Sequence, residues 1–238
     1  MKLIIDVGNT NVKLALFYKK ELVKTIVSEK ITQNLISKFC LNTTISSSIL
    51  SAVRDLNFEE SRIVKNFGCK ILKHDMRFPV NSKYISMESL GMDRLSAVIG
   101  AGCIFPKKNI LVFDAGTCLT IDCLDSNMNY LGGRISPGLS MRFQALNNFT
   151  DKLPLLSSSK GAKFIGNDTN SSIISGVQNG IIAEVSNFIS DYTKQNKDII
   201  VVFTGGDCFF FEKELKISIF ADPFLVLKGL NEILDFNE

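Results

Sequence analysis

Side chains that bind transition metals are scarce in this sequence. Its 238 residues contain one histidine, His74, and six cysteines, and no two cysteines form a CxxC pair. Zinc sites need about four such ligands at short spacings, so a zinc site is not expected. No disulfide spacing is apparent, and cysteines in apolar runs, such as Cys103, are expected to be small buried hydrophobic residues. Free thiols favour a reducing, cytoplasmic location.

Long apolar runs are also missing. None approaches the roughly 20 residues that a membrane-spanning helix needs. Only Leu3-Ile4-Ile5 lies between Lys2 and Asp6, which is too short for the apolar core of a secretory signal. The sequence therefore predicts a soluble protein with no membrane partner.

The chain has little excess charge of either sign. Its 27 lysines and arginines exceed the 24 acidic residues by a net charge of +3, and the basic residues are scattered singly or in pairs. A nucleic-acid-binding protein usually gathers them into a patch, so no nucleic-acid partner is expected. The composition, 45% hydrophobic and 21% charged, is ordinary for a compact globular protein and argues against disorder.

Two common nucleotide-binding motifs are absent. The chain has no GxxxxGK[ST], and no GxGxxG opens a helix after a predicted strand. P-loop and Rossmann folds are therefore disfavoured.

Predicted strands and helices alternate along the chain, which favours an α/β fold. Apolar or alternating runs predict strands over residues 3–5, 12–16, 22–27, 46–53, 70–72, 111–113, 119–124, 130–135, 199–203 and 217–220. Helical patterns lie around residues 35–39, 59–67, 95–102, 170–195 and 224–234. Asp168 or Thr169 is positioned to cap the longest of them.

The two halves of the chain begin alike. Leu111–Thr117 can be laid over Leu3–Asn9 without a gap, and each segment runs from an apolar strand into Asp-x-Gly and a polar residue. Self-similarity of this kind predicts two similar lobes, 1–108 and 109–238, that face each other across a cleft. The alternative is coincidence, because strand-Asp-x-Gly turns are common.

The first of these turns carries groups suited to phosphate. Gly8 lets the backbone approach a ligand closely, and successive N–H groups form a concavity for phosphate oxygens. Asn9 and Thr10 add neutral donors, Asp6 adds a carboxylate for Mg²⁺, and Lys13 adds positive charge. The alternative is a plain hairpin turn in which Asp6 only caps and Lys13 is solvated.

An acid near the middle of the chain lies at a predicted helix start. Asp93 could accept a proton from a substrate hydroxyl, and Arg94 could bind a carboxylate in bidentate fashion. The alternative is that Asp93 caps the helix and Arg94 lies on the surface.

Five segments in this order resemble the type III pantothenate kinase family. They are Asp6-x-Gly-Asn-Thr-x-x-Lys13, Gly91-Met-Asp-Arg94, Asp114-Ala-Gly-Thr117, Gly132-Gly-Arg-Ile-Ser-Pro-Gly138 and Gly166-Asn-Asp-Thr169. The first pattern alone marks only the wider superfamily of actin, hexokinase and heat-shock chaperone ATPases. The resemblance covers nearly the whole chain. It implies two duplicated ribonuclease H-like or actin-like lobes, with mixed β-sheets flanked by helices and a nucleotide cleft between them.

The resemblance implies ATP and two cations as ligands. The ATP phosphates would be held by Asp6, Val7, Gly8, Asn9, Thr10, Asn11, Val12 and Lys13. Asp6 would be oriented toward Mg²⁺, and Thr117 would contact the same nucleotide from the other lobe. Asp114 would bind a monovalent cation, K⁺ or NH₄⁺.

The resemblance also implies the reaction, which converts pantothenate into 4'-phosphopantothenate in the first step of coenzyme A biosynthesis. Asp93 would be the general base for the primary hydroxyl of pantothenate. The substrate pocket would be lined by Tyr84, Gly91, Met92, Asp93 and Arg94. Thr169 would reach it from the other subunit of a homodimer.

Two alternatives stay open at this stage. One is another small-molecule kinase of the superfamily, although Arg94 favours an acidic substrate. The other is a regulatory protein that binds nucleotide without turnover, which Asp93 disfavours because a binder needs no base. The glycine pair in Gly205-Gly206-Asp207 either approaches the adenosine or forms a tight turn.

Overall fold

The computed structural model describes residues 1–238 and divides them into two compact units. The first unit comprises Met1–Lys107, Leu124–Gly132 and Phe224–Glu238, and the second comprises Lys108–Cys123 and Gly133–Pro223. The lobes predicted from the sequence, 1–108 and 109–238, stay a prediction. The compact units differ from these lobes mainly because Leu124–Gly132 and Phe224–Glu238 belong to the first unit.

Eleven strands and seven α-helices make up the two units. The strands are β1 Lys2–Val7, β2 Val12–Tyr18, β3 Glu21–Ser28, β4 Ser47–Ala52, β5 Lys70–Ile71, β6 Asn81–Ser82, β7 Asn109–Ala115, β8 Cys118–Leu124, β9 Asn129–Pro137, β10 Ile199–Thr204 and β11 Phe220–Ala221. The helices are α1 Gln33–Phe39, α2 Phe58–Asn66, α3 Met92–Ile104, α4 Leu139–Asn148, α5 Thr169–Gln195, α6 Cys208–Glu214 and α7 Leu225–Phe236.

The first unit is built on a mixed sheet in the order β3-β2-β1-β4-β5. β1 runs antiparallel to β2 and parallel to β4. Because side chains alternate along a strand, Leu3, Ile5 and Val7 point to one face, where they join a buried core with residues of α1 and α2. α3 and α7 pack against each other where Gly100 and Gly229 let the two backbones meet.

The second sheet has six strands in the order β11-β10-β7-β8-β9-β6, and five of them, β9-β8-β7-β10-β11, repeat the strand order of the first sheet. β10 runs parallel to both β7 and β11, as β4 does to β1 and β5. β7 and β8 are sheet neighbours joined only by residues 116–117, which makes them an antiparallel hairpin like β1 and β2. The predicted α/β class and the duplication are confirmed by this matching topology.

The long helix α5 forms one side of the second core. Ile173, Val177, Ile181 and Val185 are buried along one face, as their spacing predicts. Its first turn is capped by Asp168, whose carboxylate accepts the Ser171 backbone N–H at 2.9 Å.

Three local predictions from the sequence need correction. Only Phe220–Ala221 forms the last strand, so the strand predicted over 217–220 is wrong for most of its length. Helices α4 and α6 were not predicted. Cys103 is exposed, whereas Cys40, Cys69, Cys123 and Cys208 are buried, and all six thiols are free. No helix is long and apolar enough to cross a membrane.

Candidate active site

The segment from Asp6 to Lys13 forms the tight connection between β1 and β2. Asp6 pairs with Lys13 and Val7 with Val12 in the antiparallel register, and the Gly8 N–H donates to the Asn11 carbonyl at 3.0 Å. A Cβ on Gly8 would lie 2.9 Å from that carbonyl oxygen, so the turn needs glycine there. β1 and β2 therefore form a hairpin at this position, and the role of its residues in binding phosphate stays a prediction.

The side chains of this hairpin divide into buried and exposed groups. Val7 and Val12 are 0% and 1% exposed, so only their backbone groups can reach a ligand. Asn9, Thr10 and Asn11 are exposed at the tip. Asp6 is 8% exposed at the carboxyl end of β1, the usual edge for ligands in α/β sheets.

The second Asp-x-Gly turn lies at the corresponding end of β7. Asp114 and Thr117 belong to one turn, closed by the Gly116 N–H donating to the Cys118 carbonyl at 3.0 Å. Thr117 is exposed and Asp114 is half-buried. The structure therefore brings these two predicted residues together.

The Gly205-Gly206-Asp207 segment forms a tight turn against Asp114. Gly205 has φ +88°, and a Cβ there would lie 2.5 Å from the Asp114 Oδ1 atom. The Asp207 N–H donates to the Ala115 carbonyl at 2.9 Å, and burial raises the pKa of the Asp207 carboxyl. These contacts, all within the second unit, are those of a tight turn. An approach of this segment to the adenosine stays a prediction.

Asp93 lies in the first turn of α3, where the helix dipole favours an anion. The N-cap residue is Gly91, without a side-chain capping bond, and the Asp93 Oδ1 atom instead accepts the Arg94 N–H at 2.8 Å. A Cβ on Gly91 would lie 2.5 Å from that same Oδ1 atom. The Asp93 carboxylate can therefore lie here only because residue 91 is a glycine without a side chain.

Arg94 is buried rather than on the surface. Only 6% of it is exposed, and its guanidinium lies 6.0 Å from the centroid of the Tyr84 ring. Tyr84 in turn lies 6.0 Å from the Tyr130 ring. The predicted substrate residues Tyr84, Gly91, Asp93 and Arg94 thus share one region of the first unit. The surface alternative for Arg94 is wrong.

Two predicted residues have a different environment. Met92 is 8% exposed and packs mostly into the core of the first unit. Thr169 is exposed at the first position of α5 in the second unit.

Both implied cation sites have suitable hard oxygen ligands. No group of three or more His, Cys, Asp or Glu side chains is arranged for a metal. A single carboxylate such as Asp6 still fits Mg²⁺, which usually keeps several waters and shares its site with substrate phosphates. Near Asp114, the buried Thr204 hydroxyl has no hydrogen-bond partner, and the Gly205 backbone lies close to the carboxylate because glycine has no Cβ. This oxygen set suits a monovalent cation.

Sequence reasoning missed several residues around these turns. Tyr130 beside Tyr84 and the hydroxyls of Ser51 and Thr204 have no local sequence signal. Ser136 lies inside the Gly132–Gly138 motif, but its partner Glu184 is 48 positions away. Only the fold brings such pairs together.

Comparison with known proteins gives a consistent family. A sequence model described as type III pantothenate kinase matches residues 2–191. A type III pantothenate kinase of Phocaeicola vulgatus is 41% identical over 240 residues, covering 100% of this chain and 99% of that protein. One from Bacteroides fragilis is 41% identical over 239 residues, covering 100% of this chain and 98% of that protein.

Solved structures share the fold at lower sequence identity. A conserved Campylobacter jejuni protein, a proposed Baf family transcriptional activator, has a TM-score of 0.62 and 24% identity, covering 99% of this chain and 98% of that one. The ADPNP-bound activator of 2-hydroxyisocaproyl-CoA dehydratase from Clostridium difficile has a TM-score of 0.55 and 12% identity, covering 99% and 93%. At these identities the likeness concerns the fold alone.

Proposed function

This chain belongs to the type III pantothenate kinase family, and from that premise we propose that it transfers the γ-phosphoryl group of ATP to the primary hydroxyl of pantothenate. The product is 4'-phosphopantothenate, which enters coenzyme A biosynthesis. The observation that carries the proposal is the arrangement at the start of α3. There Gly91 leaves space for the Asp93 carboxylate, beside the buried Arg94 and the Tyr84 ring.

Asp93 is the proposed general base. Its carboxylate takes the proton of the pantothenate hydroxyl as the hydroxyl oxygen bonds to the γ-phosphorus. The bond from that phosphorus to the β,γ-bridging oxygen breaks, and ADP leaves with the bonding electron pair. Phosphoryl transfer depends mainly on positioning and charge neutralisation by the protein. It also needs a base for the hydroxyl proton, and one carboxylate near the hydroxyl supplies it.

Arg94 and Tyr84 are proposed to hold the substrate. Pantothenate carries a carboxylate, and a guanidinium binds a carboxylate through two parallel hydrogen bonds. Because Arg94 is almost fully buried, its charge acts in a medium of lower dielectric than water. This environment supports an acidic substrate over a neutral sugar. Gly91 and Met92 contribute through their backbone at the helix start.

The hairpin from Asp6 to Lys13 is proposed to hold the ATP phosphates. Its backbone N–H groups and the exposed Asn9, Thr10 and Asn11 side chains supply donors, and Lys13 supplies positive charge. Asp6 would hold a hydrated Mg²⁺, which neutralises the charge on the phosphates when bound. Asp6 would also fix the position of the bound Mg²⁺, because Asp6 lies at the end of a buried strand.

In the second unit, Thr117 and Asp114 are proposed as ligand-binding residues. Thr117 is exposed in its turn, where a nucleotide can reach it. Asp114, with the oxygen-rich surroundings described above, would hold K⁺ or NH₄⁺. K⁺ is a large ion, and carbonyl and hydroxyl oxygens suit it better than a compact cluster of carboxylates does.

We also propose a homodimer in which Thr169 contributes to the pantothenate site of the partner. Thr169 is exposed at the start of α5, so its hydroxyl is accessible in the single chain. The six free thiols support a reducing, cytoplasmic location for the enzyme.

An assay of the purified protein tests the activity directly. With ATP, Mg²⁺, K⁺ and pantothenate we expect ADP release that depends on pantothenate, together with phosphopantothenate detected by mass spectrometry. Glucose and acetate replace pantothenate as controls for other small-molecule kinases. Equal turnover with a control substrate, or ATP binding with no turnover on any substrate, would overturn the proposal.

A further inference from the structure

Three elements of the second unit are joined by a hydrogen-bonded group at the end of β9. The Ser136 hydroxyl donates to the Glu184 Oε1 atom of α5 at 2.7 Å. Arg142 of α4 forms an ion pair with the other carboxylate oxygen of Glu184. The Arg142 Nε–H also donates to the Pro137 carbonyl at 2.9 Å, and its Nη2 atom lies 3.3 Å from the Ser136 hydroxyl oxygen.

These contacts all converge on the turn Ser136-Pro137-Gly138. Pro137 has no N–H, so its backbone can only accept a hydrogen bond, and here it accepts one from Arg142. Glu184 and Arg142 have side chains that are 34% and 21% exposed, so the group lies near the surface and fills no core cavity. Its effect is to fix one turn between a strand and a helix.

The fixed turn lies directly against Thr117. The Gly138 N–H donates to the Thr117 carbonyl at 3.1 Å. A Cβ on Gly138 would lie 2.5 Å from the Thr117 carbonyl oxygen, so the two backbones are in close contact. Any shift of the Gly138 turn must therefore move the backbone of Thr117.

We infer that Arg142 and Glu184 are positioning residues for ATP binding, which act through the Gly138 turn on Thr117. The inference rests on the proposed function, in which Thr117 contacts the nucleotide. Neither side chain needs to touch ATP. A guanidinium with donors on two sides and a carboxylate with two acceptor oxygens can hold Ser136 and Pro137 together, which a lysine or a single hydroxyl cannot do.

The variants Glu184→Ala and Arg142→Ala test this coupling. For each we expect an increase of about tenfold in the KM for ATP, the size produced by losing one charge-assisted hydrogen bond, with the KM for pantothenate nearly unchanged. The double variant should resemble either single variant, because both remove the same contact. Glu184→Gln keeps an acceptor for Ser136 and should recover part of the loss.

A matched ion pair on the same helix supplies the control. Lys194 and Asp191 of α5 form an exposed pair with no hydrogen bond to Ser136, Pro137 or Gly138, so Asp191→Ala should leave the KM for ATP unchanged. Thermal unfolding of every variant separates a loss of stability from a change in affinity. Unchanged ATP affinity in folded Glu184→Ala, or equal increases in both KM values, would overturn the inference.

A binding measurement keeps this test separate from the proposed activity. Titration with a fluorescent ATP analogue reports nucleotide affinity without turnover. If the wild-type protein binds the analogue but phosphorylates nothing, the proposed function fails, while weaker binding by Glu184→Ala still supports the positioning role.

Discussion

Asp114 of β7 and Thr204 of β10 lie opposite each other at the carboxyl ends of two parallel strands. The first unit contains the same arrangement, in which Asp6 of β1 lies opposite Ser51 of β4. Both hydroxyls, on Thr204 and Ser51, are fully buried and have no hydrogen-bond partner. Each unit therefore places one carboxylate beside one buried hydroxyl, a detail that the sequence repeat does not reveal.

The buried hydroxyl of Thr204 predicts a stabilising substitution. Thr204→Val keeps the shape of the side chain and removes a polar group that has no partner, so we expect the free energy of unfolding to rise by about 1 kcal/mol. Urea unfolding followed by circular dichroism measures the change. A clear loss of stability would mean that the hydroxyl has a partner in solution.

Removing the proposed base should abolish most turnover without unfolding the protein. Asp93 accepts only the Arg94 N–H among the hydrogen bonds described for it, and asparagine can replace that acceptor. We expect Asp93→Asn to fold normally and to lose kcat by about 10²–10⁴-fold, the usual contribution of a general base. Steady-state kinetics with a thermal unfolding control decides the point. Turnover near the wild-type level would remove Asp93 as the base.

The space at Gly91 predicts a second active-site variant. In Gly91→Ala the new methyl group would displace the Asp93 carboxylate, so kcat should fall at least about tenfold while the unfolding temperature changes little. Gly180→Ala is the control, because a Cβ there meets nothing within 4 Å and alanine favours the helix by about 0.5–1 kcal/mol. Full activity in Gly91→Ala would show that the carboxylate position is not critical.

Monovalent cations should stimulate the enzyme selectively. We expect K⁺ and NH₄⁺ to raise the rate strongly and Na⁺ to do so poorly, since Asp114 is proposed to hold the larger ions. Asp114→Asn should remove the difference between the salts, and a thermal shift produced by K⁺ in the wild type should disappear as well. Equal rates of the wild-type enzyme in all three salts would contradict the role of Asp114.

Mixing two inactive variants tests whether Thr169 acts on the partner subunit. Asp93→Asn and Thr169→Ala should each be weak as homodimers. A heterodimer with one subunit of each kind would carry one intact site, so activity should return on mixing after subunit exchange. Light scattering checks the dimer itself. A monomer in solution, or no recovery in a proven heterodimer, would rule out this arrangement.

The sequence predicted the strands better than the helices, for a physical reason. β1, β7 and β10 are buried on both faces and read as continuous apolar runs. Helix α4 buries only Leu139 and Phe143, which is too little apolar periodicity to recognise. The strand predicted over 217–220 is shortened because only Phe220 and Ala221 pair with β10.

The candidate site also contains residues that the sequence identifies and contacts that it does not. The turns at Asp6 and Asp114 and the helix start at Asp93 are local, so residue type and spacing identify them. The packing of Tyr84 near Tyr130 and the contact of Ser136 with Glu184 join distant parts of the chain, and no periodic pattern marks them. Burial of Arg94 likewise depends on tertiary packing, which spacing alone could not distinguish from exposure.

The first unit is completed by the last segment of the chain. Helix α7 packs on α3, and Asp235 near its end forms an ion pair with Lys2. A ribosome therefore releases every residue of the second unit before α7 can pack on α3 and β1, so the packing of the first unit should be the last to finish during synthesis. A premature stop codon shortly before residue 224 would then leave a nascent protein with one half finished and the other exposed to chaperones and proteases.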